Sequence, residues 1–134
     1  MPCSIGCSRR ATVCDALGDA ARERHTRPGD QAGDRNPLHA DPDFAKAAGF
    51  PAPILHGLCS YGIVLRTVTE DLLGGDATRV GGFTARFAGV VLPGETIRVR
   101  AWHEDDGIIV SATVAGEGER DGAPVLADCV LTPA

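Results

Sequence analysis

Asp34, Asn36, Pro37 and His39 fall in one short stretch, GDRNPLHADP. A carboxylate and an imidazole converging on one water can add it across an activated double bond. One group removes the water's proton, the other supplies a proton to the neighbouring carbon, and both can do so near pH 7. In a continuous α-helix, side chains five residues apart are turned about 140° from each other, so Asp34 and His39 would not share a face. Pro37 breaks any such helix by removing an amide donor and driving Asn36 toward extended geometry; a loop can then turn both side chains toward one point. Asn36 is placed to bond across that loop and stiffen it. The same residue types also build ordinary turns, so a reading in which Asp34 and Asn36 merely shape a turn, with His39 exposed, stands beside the catalytic one.

Gly57 adds a second chemical feature. It falls in the first turn of a predicted apolar helix, where backbone N–H groups lack intrahelical partners and the helix dipole favours negative charge. A developing oxyanion would be stabilised there, and the missing side chain would let a carbonyl come close. Close packing explains a glycine at this position equally well. His56, beside it, reads as a structural hydrogen-bonder rather than a proton carrier.

The elements that must position these residues can also be read. Asp41 is a predicted N-cap, Pro42 the first helical residue and Gly49 the C-terminal stop of a two-turn helix. FPAP then breaks the chain, and Pro53 is expected to start the next helix, with Ile54, Leu58, Tyr61, Leu65, Val68 and Leu72 as its buried stripe. Leu55, Cys59, Ile63 and Val64 leave the first turns of that helix almost uncharged, which predicts burial nearly all round. Alternating apolar positions then predict strands: Phe83, Ala85 and Phe87; Ile97, Val99 and Ala101; Ile108 to Val114; and Val125, Ala127, Cys129 and Leu131. LPGE (92–95) and DDG (105–107) are turns, and GEGERDG (116–122) a longer connection. One apolar sheet face and one helix apolar all round pack best with the sheet curled round the helix, whose remaining face meets a second copy. This is an α+β hot-dog fold, an antiparallel sheet wrapped around a long central helix, in a single domain over residues 33–134. A two-layer α+β sandwich is the alternative architecture.

Residues 1–32 carry the weakest pattern. ATVCDALGDAARERH reads as a short helix with a ragged apolar face in a loosely packed N-terminal segment. Its arginines are interspersed with Asp15, Asp19, Glu23 and Asp30, unlike a transit peptide. Net charge is -5, and the absence of a basic stripe among aromatics argues against nucleic-acid binding. No apolar run approaches the ~18 residues of a membrane span. The five cysteines are an odd number with no secretory apolar stretch before them, so a reducing cytoplasmic compartment is expected. Cys3 and Cys7 lack a second ligand pair at finger spacing, so no metal site is expected. Arg66, Arg86, Arg98 and Arg100 are candidates for phosphate contacts, although a solvated strand or helix face explains each.

The stretch GDRNPLHADPDFAKAAGFPAPILHGLCSYG, followed by FTARFAGVVLPGETI, resembles the MaoC-like family, specifically its (R)-specific enoyl-CoA hydratases, over roughly residues 33–131. The resemblance implies a hot-dog fold and reversible syn hydration of a trans-2-enoyl-CoA to a (3R)-hydroxyacyl-CoA. It places the catalytic aspartate on Asp34, the histidine on His39, the orienting asparagine on Asn36 and the thioester-binding amide on Gly57. It implies no metal or redox cofactor, with the acyl-CoA thioester as substrate. Where family members carry a helix ending in Ser-Gly before the aspartate, this chain has RPGDQAGD. The likeness is greatest to the C-terminal half of members with two hot-dog repeats, which implies a homodimer or a heteromer with another hot-dog chain. A 3-hydroxyacyl-ACP dehydratase, and a non-catalytic subunit that binds acyl-CoA or completes a partner's site, are the alternatives.

Overall fold

The computed structural model describes residues 12–16, as a strand, and residues 36–134. Its elements run β1 (Thr12–Ala16), a 3-10 turn (Pro37–His39), α1 (Pro42–Ala47), α2 (Gly57–Leu72), a second 3-10 turn (Ala77–Arg79), β2 (Val80–Phe87), β3 (Thr96–Glu104), β4 (Gly107–Ala115) and β5 (Pro124–Pro133). The strands form one antiparallel sheet in the order β1-β3-β4-β5-β2, and α2 packs against it. Residues 12–16, expected in a short helix, instead pair with β3 from Thr12↔Ala101 to Ala16↔Ile97. Thr12, Val13 and Cys14 suit a strand better than a helix, and an edge position beside β3 lets tertiary pairing decide.

The expected alternation is realised in the middle of the sheet. Ile97, Val99 and Ala101 of β3 and Ile108, Val110, Ala112 and Val114 of β4 are all buried. Burying a valine or isoleucine side chain fully contributes about 1.5–3 kcal/mol, so this face dominates the core. On β5 the expected face changes phase: Leu126 is buried with Val125, Cys129 and Leu131, while Ala127 is only partly so. Asp128 has φ 52, and the pairing shifts register on both sides of β5, between Val110 and Ala112 and between Thr84 and Arg86. An extra residue in one strand moves the following side chains to the other face, and aspartate tolerates the left-handed backbone this needs. Arg86 Nε pins the irregularity from β2 by donating to Asp128 Oδ2 at 2.7 Å.

α1 follows its predicted signals: Asp41 Oδ1 accepts from Asp43 N (2.9 Å) and Phe44 N (3.3 Å), with Pro42 at the first position. α2 departs from expectation in two ways. It begins at Gly57 rather than Pro53, because Ile54 N donates to Leu38 O (3.2 Å) and Leu55 N to Val91 O (2.8 Å), holding the approach outside the helix. Its buried line is Ser60, Val64 and Val68, joined by Thr69, whereas Leu58 is 77% exposed. Leu58 and Ser60 are two residues apart, about 200° round the helix, so one faces out when the other faces in. A helix apolar on every side offers periodicity nothing to discriminate with. Among the described residues, no helix is long and apolar enough to cross a membrane.

Candidate active site

The turn carrying His39 is built locally. Asn36 has an extended backbone (φ -61, ψ 117) and caps the Pro37–His39 turn, its Oδ1 accepting from Leu38 N at 3.0 Å. The asparagine thus stiffens the turn through a backbone amide two residues on, a tighter bond than one across the loop. His39 Nδ1 lies 2.9 Å from Ile54 O. A carbonyl oxygen can only accept, so Nδ1 is the protonated nitrogen of the neutral ring and Nε2 is the one able to take up a proton. The His56 ring stacks on His39 at 3.7 Å between centroids and 30° between planes, fixing the ring from its face. Asp34 lies outside the described residues.

His56 is also the N-cap residue of α2, with extended backbone (φ -60, ψ 136), and its side chain makes no capping bond. The next residue, Gly57, therefore opens the helix without a side-chain acceptor. Among the described residues its N–H meets no backbone or side-chain acceptor. The packing reason for a glycine is present too: a Cβ there would stand 3.0 Å from Phe87 Cε1. Phe87, expected on the inner face of β2, leaves the core at the strand's end and is 53% exposed beside Gly57. His39 and Gly57 border one cavity of about 200 Å³, closed by Ser60, Phe87, Val90 and Val91.

The wall of that cavity is held from behind. Ala88 N donates to Val125 O (3.0 Å), and Val91 O receives Leu55 N. Gly89 passes so near β5 that a Cβ would lie 2.2 Å from Pro124 O, so no other residue fits this backbone. Arg120 donates from Nη2 to Val90 O (2.8 Å) and Glu95 Oε2 (3.0 Å), and from Nε to Glu95 Oε1 (2.5 Å). Glu95 Oε2 in turn accepts from Leu92 N at 2.7 Å. One ion pair thus ties the 116–122 connection and the Pro-Gly turn to the strip facing Gly57, and Glu95 raises the Arg120 pKa through its hydrogen bonds.

The structure therefore brings His39 and Gly57 to one cavity and makes Asn36 the cap of the turn that carries His39. The sequence pattern passes over Ser60, Phe87 and the Val90–Val91 wall: serine in an apolar helix and phenylalanine in a strand read as filler. A larger groove of about 460 Å³ runs along the C-terminal half of α2, beside Leu65, Thr69 and Val80. Among the described residues lining it, the two charged side chains, Arg66 and Glu70, bind each other at 2.7 Å. The smaller cavity, not the larger, is the one bordered by His39 and Gly57. Two more of the candidate phosphate-binding arginines are also engaged, Arg86 with Asp128 and Arg98 with Asp121 (3.6 Å). Among the described residues, no three His, Cys, Asp or Glu side chains gather as metal ligands.

The chain is similar to known proteins. A "MaoC like domain" model matches residues 29–121. Enoyl-CoA hydratase ChsH3 of Mycobacterium tuberculosis is 55% identical over 102 residues, 76% of this chain and 35% of that protein. The peroxisomal enoyl-CoA hydratase 2 of Arabidopsis thaliana is 46% identical over 83 residues, 62% of this chain and 27% of that protein. A MaoC-like dehydratase from Phytophthora capsici superposes with a TM-score of 0.74 at 32% identity, over 93% of this chain and 40% of that one. The (R)-hydratase of A. caviae, 21% identical, shares the fold with a TM-score of 0.65 over 92% of each chain. The chain spans only about a third, or less, of the curated relatives it matches. With the hot-dog sheet and helix in place, this chain belongs to the MaoC-like domain family.

Proposed function

We propose that this domain catalyses the reversible syn addition of water to a trans-2-enoyl-CoA, giving a (3R)-hydroxyacyl-CoA. The observation that supports it most is the pairing, at one cavity, of an imidazole with its Nδ1 committed to Ile54 O and an unengaged amide at the start of α2. In this reading the water oxygen bonds to C3 while its proton passes to one member of the Asp34/His39 pair. The C2=C3 electrons move toward the thioester oxygen, whose charge faces the Gly57 amide, and C2 takes its proton from the other member. Asn36 holds the His39 turn in place. The reaction as written uses acid–base groups alone, with no metal or redox cofactor.

A relative named 3-hydroxyacyl-thioester dehydratase Y, 48% identical over 99 residues, is consistent with the reverse direction on the same groups. The two polar groups at one cavity favour catalysis over a purely binding subunit. Exposed Leu58 on α2, exposed Phe87 on the cavity wall, and β2 at the sheet's edge support a second hot-dog chain as partner. Cysteine usage supports a cytoplasmic location, while relatives in Arabidopsis and mouse are named peroxisomal. Loss of the conjugated-thioester absorbance of crotonyl-CoA, with chiral analysis of the product, tests the activity; an (S) product or no turnover would reject it. Light scattering of the purified chain reports whether it pairs with itself.

A further inference from the structure

We infer that the Ser60 hydroxyl is a third polar group of this site, donating to the same substrate carbonyl oxygen that the Gly57 amide meets; this rests on the thioester reading above. Serine and threonine hydroxyls inside helices ordinarily bond back to the carbonyl four residues earlier. On α2, Thr67 does so to Ile63 O and Thr69 to Leu65 O, each at 2.8 Å. Ser60 does not. The corresponding carbonyl, His56 O, already receives Cys59 N (3.0 Å) and Ser60 N (3.2 Å). Among the described residues, nothing else pairs with the Ser60 hydroxyl.

The residue is nevertheless 4% exposed, on the core-facing line of α2, and borders the cavity of His39 and Gly57. The Ser60 hydroxyl is not among the fully enclosed, partnerless polar atoms of the described residues, so its oxygen keeps access to the cavity space rather than being sealed in the core. Helical side chains lean toward the N-terminus and lie over the residue three positions before, here Gly57. Ser60 therefore turns its hydroxyl toward the space that the Gly57 N–H faces. A carbonyl oxygen has two lone pairs, one for each donor, and both bonds strengthen as charge builds on that oxygen.

The test uses Ser60→Ala and Ser60→Thr in the full chain. Removing one oxyanion donor costs about 10²-fold in kcat, so Ser60→Ala should lose that much on crotonyl-CoA with KM changed only a few-fold, while Ser60→Thr keeps most of the rate. A purely structural serine would show the opposite balance, with the rate kept and the melting temperature lowered, whereas removing an unbonded hydroxyl should leave the melting temperature unchanged or higher. The second readout is the infrared carbonyl band of bound, carbonyl-13C-labelled butyryl-CoA, which cannot be hydrated. Ser60→Ala should move it back toward its free value; an unmoved band overturns the inference whatever the rate. If the wild-type chain binds butyryl-CoA but does not hydrate crotonyl-CoA, the hydration reading fails and the band alone decides the role of Ser60. A chain that binds no thioester overturns both.

Discussion

At its C-terminal end α2 is closed. Leu73 N and Gly75 N both return to Thr69 O, at 3.1 and 2.9 Å, Thr67 and Thr69 bond back to their own helix, and Arg66 pairs with Glu70. At the other end the Gly57 amide and Ser60 hydroxyl meet no acceptor or donor among the described residues, and Leu58 faces outward. The two ends belong to one helix, apolar in its first turns and charged in its last, yet it is the charged end that satisfies its polar groups internally, while the apolar start leaves an amide and a hydroxyl unengaged. Unused hydrogen-bonding capacity is what a substrate can engage, so we propose the open end, with His39 beside it, as the reactive end.

That contrast can be broken from its reactive side first. His39→Ala should lower kcat on crotonyl-CoA by about 10² or more with circular dichroism unchanged, and Asp34→Asn should match it. Wild-type turnover in either variant would remove that residue from the mechanism. Next, Gly57→Pro and Gly57→Ala both place a Cβ against Phe87, but only proline deletes the amide donor. His56 already has the extended backbone that a residue before proline prefers, and proline suits the first helical position. The proline variant should therefore be about 10²-fold slower than the alanine variant; equal rates would show that the amide carries nothing.

The smaller effects lie farther from the cavity. Arg120→Ala should loosen the Val90–Val91 wall and lower kcat/KM by up to about tenfold, since small misplacements at a site are expensive in rate. Its effect on stability should be modest, on the order of 1 kcal/mol, because the guanidinium is partly exposed and screened. A double-mutant cycle with Glu95→Gln measures the coupling, and additive losses would mean the pair does not act as a clamp. Arg66→Ala, at the closed end, should leave kcat within experimental error; a large loss there would reverse the comparison.

How much of this was legible in the sequence depends on what each element obeys. Asp41, Pro42 and Gly49 act through local backbone chemistry, and α1 appears where they predict it. Alternation in β3 and β4 reports one buried face directly, so those strands also follow. Where tertiary contacts decide, sequence pattern falls short. β1 forms because β3 has an open edge, α2 starts late because Leu55 N bonds to Val91 O, and Asp128 shifts the phase of β5. At the site, the spacing of Asn36, Pro37, His39 and Gly57 was readable because turns and helix starts have their own vocabulary. The role of Ser60 was not, since it depends on which backbone carbonyl is already occupied.

In the proposed reaction one cavity delivers both parts of water from the same side of the double bond while the helix start holds the carbonyl. Running the hydration of crotonyl-CoA in deuterium oxide, and assigning the relative configuration at C2 and C3 by proton NMR, tests it most directly. The expected product carries a (3R)-hydroxyl and a single deuterium at C2 on the same face. Anti addition, an (S) centre, or deuterium scrambled over both faces in the first turnovers would contradict it.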